Sequence, residues 1–491
     1  MYAVLKGIPV GRENYRKEQI YVAFRPKDQK FEVTDAAIRR DPEFIPDISQ
    51  LWSGGAPRRR VVRDFFERLR TYRPVDEDEE DHLSEVIDRL YDLQNYPFTA
   101  LELSPAVDEE QVAEVFVRIN SKGTILNQAD FILTLMSVFW DEGRAELERF
   151  CRDARQPSTS GASPFNYFIQ PYPDQLLRVS VGLGFRRARL QHVYSILRGK
   201  NLENGEFSDE HRVQQFAVLK GAQHYSLNLQ WWHEFLKTLM HAGFLHGDMI
   251  TSQMTLVYTY TLFLVGRRDY RLEGYTLRNL LARWFFMTAL TGRYTNSPET
   301  VMEQDLSRLR DIKGATGFMD FLERIISDTL TEDYWNITLP NELATSSPRS
   351  PSLFAYYASL NLLEARVLFS KMKVSTLLDP AMKARKSAIE RHHLFPKGYL
   401  AKLGIKELRD TNQIANYALV EWSDNIDISD RPPAEYFPRY IERFSSEELS
   451  QMYYWHALPE RWETSDYQDF LTLRRRGMAR IIRDGFHHLC Q

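Results

Sequence analysis

The chain has 491 residues, 43% hydrophobic and 26% charged, and is long enough for two or three domains that each bury a core. Its formal net charge of -4 excludes a global attraction to nucleic acid, so any DNA-binding surface must be a local patch. The two cysteines, Cys151 and Cys490, exclude a disulfide framework and a Cys-rich zinc site. No apolar run approaches ~20 residues and the first residues lack a signal-peptide pattern, so the expectation is a cytoplasmic protein with no membrane partner.

The opening MYAVLKGIPV reads as the tail of an amphipathic helix stopping at Gly7. QIYVAFRPKDQKFEVTD then alternates, which predicts two short strands joined at Pro26-Lys27-Asp28, with Tyr21, Val22, Phe24 and Phe31 as core residues. Helical spacing dominates from Pro46 to Leu103, interrupted by DEDEED at 76–81. Six consecutive acidic residues cannot converge on one point within a helix, so this run is a solvated loop or a helix start rather than a metal cluster.

VDEEQVAEVFVRINSKGTILNQADFILTLMSVFW predicts a helix ending near Asn120-Ser121, a turn at Gly123 and a second helix starting near Ala129, capped by Asn127. Two readings stand side by side here. One is a helix-loop-helix core element. The other is a phosphate or nucleotide contact made by Arg118, Asn120, Lys122 and Thr124 at a helix N-terminus.

From Pro164 to Thr338 long-period helical patterns carry many aromatics, in WWHEFLKTLMHAGFL, MTLVYTYTLFLVGRR and LRNLLARWFFMTALTGRYT. Aromatics at these spacings are core rather than a base-stacking platform. The Ser- and Pro-rich ELATSSPRSPS reads as a linker and marks a domain boundary.

IERHHLFPKGYL and NQIANYALVEWSDNIDISDRPPAEYF follow. His392 and His393 close a segment that runs into Phe395-Pro396, where a short strand gives way to a loop. Asn416 lies in an apolar run and Asn425 heads a segment that reads as helix. Phosphodiester hydrolysis needs a base to activate water and a divalent cation to take up developing charge. Adjacent histidines can serve both needs in one site only if the strand ends or bends between them. His487-His488, with no spaced asparagines behind it, reads as a surface pair. Lys386, Arg391, Lys397 and Lys402 flank the histidines and suit a DNA backbone, and Arg474-Arg475-Arg476 extends the basic patch.

Residues 353–488 resemble the C-terminal HNH domain of the GmrSD family of modification-dependent restriction endonucleases, on the two motifs just quoted. The upstream chain, with FVRINSKGTILNQADFILTLM, resembles that family's N-terminal domain. The resemblance implies His393 as general base, Asn416 as the residue that orients it, and His392 and Asn425 as metal ligands. It implies Mg²⁺ or Mn²⁺ as the divalent ion, although a donor set without a carboxylate weakens the case for Mg²⁺. The family carries an Asp-Gly-Gln-Gln-Arg nucleotide motif on a ParB/sulfiredoxin-like sheet before a segment like MYAVLKGIPV. That motif is not matched here, so nucleotide dependence is expected only with an upstream segment or partner chain that supplies it.

The expected fold is mostly α with a small β remnant at the N-terminus and a C-terminal α+β HNH (ββα-metal) domain. The expected divisions are 1–103 as a remnant ParB/sulfiredoxin-like domain, 104–341 as a helical domain, 342–352 as linker and 353–491 as nuclease. The expected function is metal-dependent endonucleolytic cleavage of foreign or modified DNA. A non-cleaving DNA-binding or scaffold protein of a defence complex, and a structure-specific RNA nuclease, stay open as alternatives, as does oligomerisation.

Overall fold

Alternation in residues 19–35 becomes a hairpin in the computed structural model, which describes residues 2–11, 17–52, 58–97, 128–201, 204–379, 381, 391–421, 424 and 427–491. These residues are mostly helical, with small two-stranded antiparallel sheets. The chain divides into two compact units, Met1–Val107 and Asp108–Gln491.

In the first unit, helix α1 (Tyr2–Leu5) stops at Gly7, whose φ of 61° is the left-handed turn a glycine accepts most readily. Strands β1 (Val10–Gly11) and β2 (Lys17–Glu18) pair. Strands β3 (Val22–Arg25) and β4 (Lys30–Val33) then turn through Pro26–Asp28, as the alternation predicts. The Arg25 guanidinium holds both Asp28 carboxylate oxygens across this turn, at 2.8 and 2.7 Å. Phe24 is 3% exposed, but its cross-strand partner Phe31 is 50% exposed, because Phe31 lies on the outer strand while Phe24 also bridges to Ile45. Of the four expected core residues, Phe24 is buried and Tyr21 and Val22 are half-buried.

Helices α2 (Arg58–Tyr72) and α3 (Glu77–Tyr91) close over Phe24 and Ile45 with the stripes Val61, Phe65, Leu69 and Leu83, Ile87, Leu90. The acidic run is the start of α3. Asp76 caps it by accepting from the Glu79 amide at 2.8 Å, while Glu79 pairs with Arg73 at 2.7 Å and Glu80 with Arg70.

The second unit is a helical assembly: α4 (Gln128–Phe139), α5 (Asp141–Asp153), α6 (Pro173–Phe185), α7 (Leu190–Leu197), α8 (Asp209–Ser226), α9 (Leu229–His241), α10 (Gln253–Arg268), α11 (Gly274–Thr291), α12 (Pro298–Arg308) and α13 (Gly314–Thr329). Most aromatics of α9 to α11 are core, although Tyr275 at the start of α11 is exposed. Trp232, Phe235, Tyr260, Trp284, Phe285 and Phe286 are all buried, and Phe235 stacks on Tyr260 at 4.6 Å between centroids. Gly292-Arg293-Tyr294 ties α11 to α12, because Arg293 and the Tyr294 hydroxyl both bond the buried Asp305 carboxylate, at 2.8 and 3.0 Å.

The expected linker 342–352 is no gap in the packing. Ser350 and Ser352 are buried and bonded to each other at 2.7 Å, and the Thr345 carbonyl accepts from the Ile414 amide at 2.9 Å. A Ser/Pro composition usually signals solvent, but here Ser350 and Ser352 bond each other and Pro351 begins a helix. That helix, α14 (Pro351–Leu362), packs on α11 and on the long C-terminal helix α18 (Tyr467–His488). Between α14 and α18 lie β5 (Arg391–His393), α15 (Lys397–Lys402), β6 (Tyr417–Leu419), α16 (Pro433–Ile441) and α17 (Ser446–Trp455).

The contact between α14 and α18 is close because Gly485 meets Ser359. A Cβ on Gly485 would stand 2.5 Å from the Ser359 Cβ. Gly485→Ala is therefore expected to destabilise the second unit by about 1–3 kcal/mol through overpacking. Urea unfolding checks this, and a midpoint equal to wild type would contradict it.

Candidate active site around His393

The histidine pair lies in a sheet of only three residues per strand. Arg391, His392 and His393 pair antiparallel with Leu419, Ala418 and Tyr417. A third segment supports the outer edge, where the Leu368 amide donates to the Leu419 carbonyl at 3.0 Å. So short a sheet needs outside support.

That support concentrates on the two residues after the strand. The Leu394 amide donates to the Asn416 carbonyl at 2.8 Å, and the Leu394 carbonyl accepts from the Tyr436 hydroxyl of α16 at 2.7 Å. The Phe395 amide donates to Asn416 Oδ1 at 2.8 Å, and the Phe395 carbonyl accepts from Asn416 Nδ2 at 3.0 Å. All four backbone groups at the exit from β5 are thus satisfied, as burial requires. Asn416 is itself fully buried and also bonds the Thr411 carbonyl at 3.2 Å. One carbonyl before it, Ala415 O accepts from Arg474 Nη1 at 2.6 Å, and Arg474 Nε donates to His456 O at 3.1 Å. Arg474 is therefore a buried clamp on the hairpin and not part of a surface patch, because α18 turns it inward onto these carbonyls.

The resemblance makes Asn416 the residue that orients the base, but the hydrogen bond to the His393 ring comes from Asn412. His393 Nε2 and Asn412 Oδ1 are 3.0 Å apart. With the amide oxygen accepting, Nε2 carries the proton and Nδ1 keeps its lone pair. Burial holds the His393 pKa below the usual histidine value; the Asn412 bond opposes that shift and the nearby Lys397 charge adds to it. The ring packs edge-on against Tyr417 at 4.9 Å, its cross-strand partner.

His392 follows a different course. It is 4% exposed, with its ring edge-on to Tyr436 at 6.1 Å. The strand runs unbroken through both histidines, so the bend between them that sharing one site requires is absent and their rings go to different neighbours. An imidazole nitrogen here and an amide oxygen from Asn425 would be neutral donors, a set that fits Mn²⁺ or a softer ion better than Mg²⁺. Among the described residues no group of three or more His, Cys, Asp or Glu is arranged to hold a metal.

Asn425 and Lys386 lie outside the described residues, as do Arg118, Asn120, Lys122 and Thr124, and of Arg391 only the backbone is described. Lys397 and Lys402 are both exposed on α15. They are five positions apart, about 140° around the helix, so they front different sides.

Sequence reasoning missed Asn412 and Tyr436 and placed Arg474 in a surface patch, where burial excludes it. For Asn412 the available signal was a second asparagine four residues before Asn416, next to a Gln. It also missed the carboxylates beside Asn425. Burial raises the Asp424 pKa, with Glu421 and Asp427 adding to the shift, while Asp427 accepts from the Tyr440 hydroxyl at 2.8 Å. Asp430 sits against Gly398, where a Cβ would come within 2.4 Å of its carboxylate oxygens.

No family model and no curated protein sequence matches this chain. The functional reading therefore rests on the geometry above and on the motif resemblance.

The two asparagines should separate on substitution. Asn416→Ala leaves both backbone groups of Phe395 without partners and should cost about 2–5 kcal/mol, whereas Asn412→Ala should stay within about 1 kcal/mol of wild type. Equal urea midpoints for the two variants would contradict this division.

His456, beneath the hairpin, gives a pH dependence. It is buried, its Nε2 lies 2.9 Å from the Arg366 carbonyl, and burial pulls its pKa from 6.5 down to about 3. Because the folded value is the lower one, this contribution to stability is complete above about pH 6.5 and is lost as pH falls toward about 3. Urea midpoints measured across that window should fall more steeply for wild type than for His456→Gln. Parallel curves would contradict the assignment.

Proposed function

We propose that this chain is a metal-dependent endonuclease of the HNH type that cleaves DNA phosphodiester bonds, with foreign or modified DNA as the substrate implied by the motif resemblance. The observation that carries the reading is the His393 imidazole at the end of a pinned hairpin, with Nε2 held by Asn412 and Nδ1 free of that bond.

In this reading His393 Nδ1 takes a proton from the attacking water. Asn412 fixes the tautomer and the ring angle, so that the lone pair points one way before substrate arrives. Asn416 and Tyr436 hold the turn that follows, keeping the base from drifting with the loop. The resemblance gives His392 and Asn425 the divalent ion, which when bound would supply positive charge beside the attacked phosphate and the leaving oxygen; with no bend between His392 and His393, this metal role rests on the resemblance and not on the geometry of the pair. Lys397, with Lys402 on another side of α15, would meet backbone phosphates on approach.

Three features favour this reading over a surface histidine pair. The pair is buried or half-buried, the ring carries an oriented partner, and burial lowers its pKa, favouring the neutral form.

Supercoiled-plasmid nicking across Mg²⁺, Mn²⁺, Ni²⁺ and Zn²⁺ tests the proposal. His393→Ala should reduce nicking by about 10²–10⁴-fold. Asn412→Ala should reduce it by about 10–100-fold through misorientation. His392→Ala should shift activity to higher metal concentration. Nicking by His393→Ala at the wild-type rate would remove it from the mechanism. DNA binding with no cleavage under any of these ions would favour the non-cleaving alternative.

A further inference from the structure

Helix α18 carries arginines on two faces. Arg474 turns inward to the hairpin, while Arg476, Arg480 and Arg483 lie about 180–240° around the helix from it, at ~100° per residue. All three line a groove of about 710 Å³, whose lining also includes Trp335 and Glu460. Arg483 is paired with Glu332 at 2.9 Å. Among the described residues Arg476 and Arg480 have no carboxylate within ion-pair distance, and Arg480 lies 5.8 Å from the Tyr454 ring. Two guanidinium groups without an ion-pair partner among the described residues are thus held near each other in a concave, partly aromatic surface that also holds Glu460.

The spacing suits a polyanion. From Arg476 to Arg483 the helix rises about 10 Å, which covers about three phosphates of one DNA strand at ~3.4 Å each. Guanidinium groups bind phosphate through paired hydrogen bonds and are weakly hydrated, so they give up water readily on contact. The chain as a whole carries a net charge of -4, so binding of DNA has to come from such local concentrations of charge.

We propose that this groove is a second DNA-backbone site, turned away from the face of α18 that clamps the hairpin. It rests on the reading of the hairpin as a DNA-cleaving site, since that reading supplies the polyanion. Because the same helix carries both faces, DNA in the groove would be held at a fixed offset from His393, adding affinity without touching the scissile phosphate.

The test uses the full chain and a short fluorescein-labelled DNA duplex, with binding followed by anisotropy in EDTA so that no cleavage intervenes. Arg476→Glu combined with Arg480→Glu should weaken binding about tenfold or more at low salt and reduce the slope of log K against log salt by about two. Glu460→Lys, which removes the groove's own carboxylate, should tighten binding several-fold. Variants that bind like wild type with an unchanged slope would overturn the proposal, as would a wild type that does not bind DNA. Loss of binding to polyglutamate but not to DNA would also overturn it, pointing to an acidic protein partner. If the double variant does not fold, Glu460→Lys decides alone, and no gain in affinity overturns the proposal. A wild type whose DNA binding depends on Arg476 and Arg480 but which never nicks plasmid would leave the groove standing and the nuclease reading refuted. Cleavage that depends on His393, with DNA binding indifferent to these arginines, would refute the groove and leave the nuclease reading standing.

Discussion

The hydrogen bonds that Asn416 makes to both backbone groups of Phe395 are the constraint on which the candidate site depends. Strands of three residues have too few ladder bonds to fix the position of a side chain at their end. Asn416 replaces the missing ladder with a side-chain bridge across the chain reversal, and the Tyr436 hydroxyl completes it on Leu394. Below the bridge, Phe395 packs on Phe470 at 4.8 Å and on Tyr467 at 5.3 Å, so the turn is anchored in α18 by an aromatic contact as well as by polar ones. The result is a loop whose backbone has little freedom, next to a histidine whose ring angle matters.

Arg474 extends the same logic into the core. Burial lowers its pKa, the direction expected when a charge leaves water, and neighbouring tyrosines including Tyr356 oppose that shift. The guanidinium is tolerated because its hydrogens meet the carbonyls of Ala415 and His456, elements far apart in sequence. A buried charge with two carbonyl acceptors is directional in a way an apolar side chain is not. It sets the distance between α18, the hairpin and the end of α17. The cost of burying it is repaid in position as much as in stability.

The sequence was most legible where local physics decides. Alternation around Pro26-Lys27-Asp28 foretold the β3–β4 hairpin, and aromatic spacing foretold the buried faces of α9 to α11. The acidic run at 76–81 was legible only as a solvated loop or a helix start, and the Asp76 cap makes it the latter, while the mostly helical character was plain from periodicity. It was least legible where a residue's partner lies far along the chain. Arg474 stands in a run of three arginines that looks like surface, and only the folded positions of Ala415 and His456 make it core. Asn412 meets His393 across 19 residues, and its local signal, an asparagine beside Gln413 four residues before Asn416, does not point to a histidine so far back in the chain. Residues 342–352 have a linker's composition, yet Thr345 serves as an acceptor for Ile414, two residues before Asn416.

The central claim is that the hairpin around His392 and His393 gathers a divalent cation beside an oriented imidazole. Paramagnetic broadening by Mn²⁺ tests this most directly, using protein labelled with ¹³C on its histidine rings and resonances assigned by single substitutions. The account predicts that substoichiometric Mn²⁺ broadens the His392 and His393 signals first, leaves His456 sharp until higher concentrations, and loses its effect in His392→Ala. Broadening that begins at other histidines, or that affects all of them equally, would contradict it.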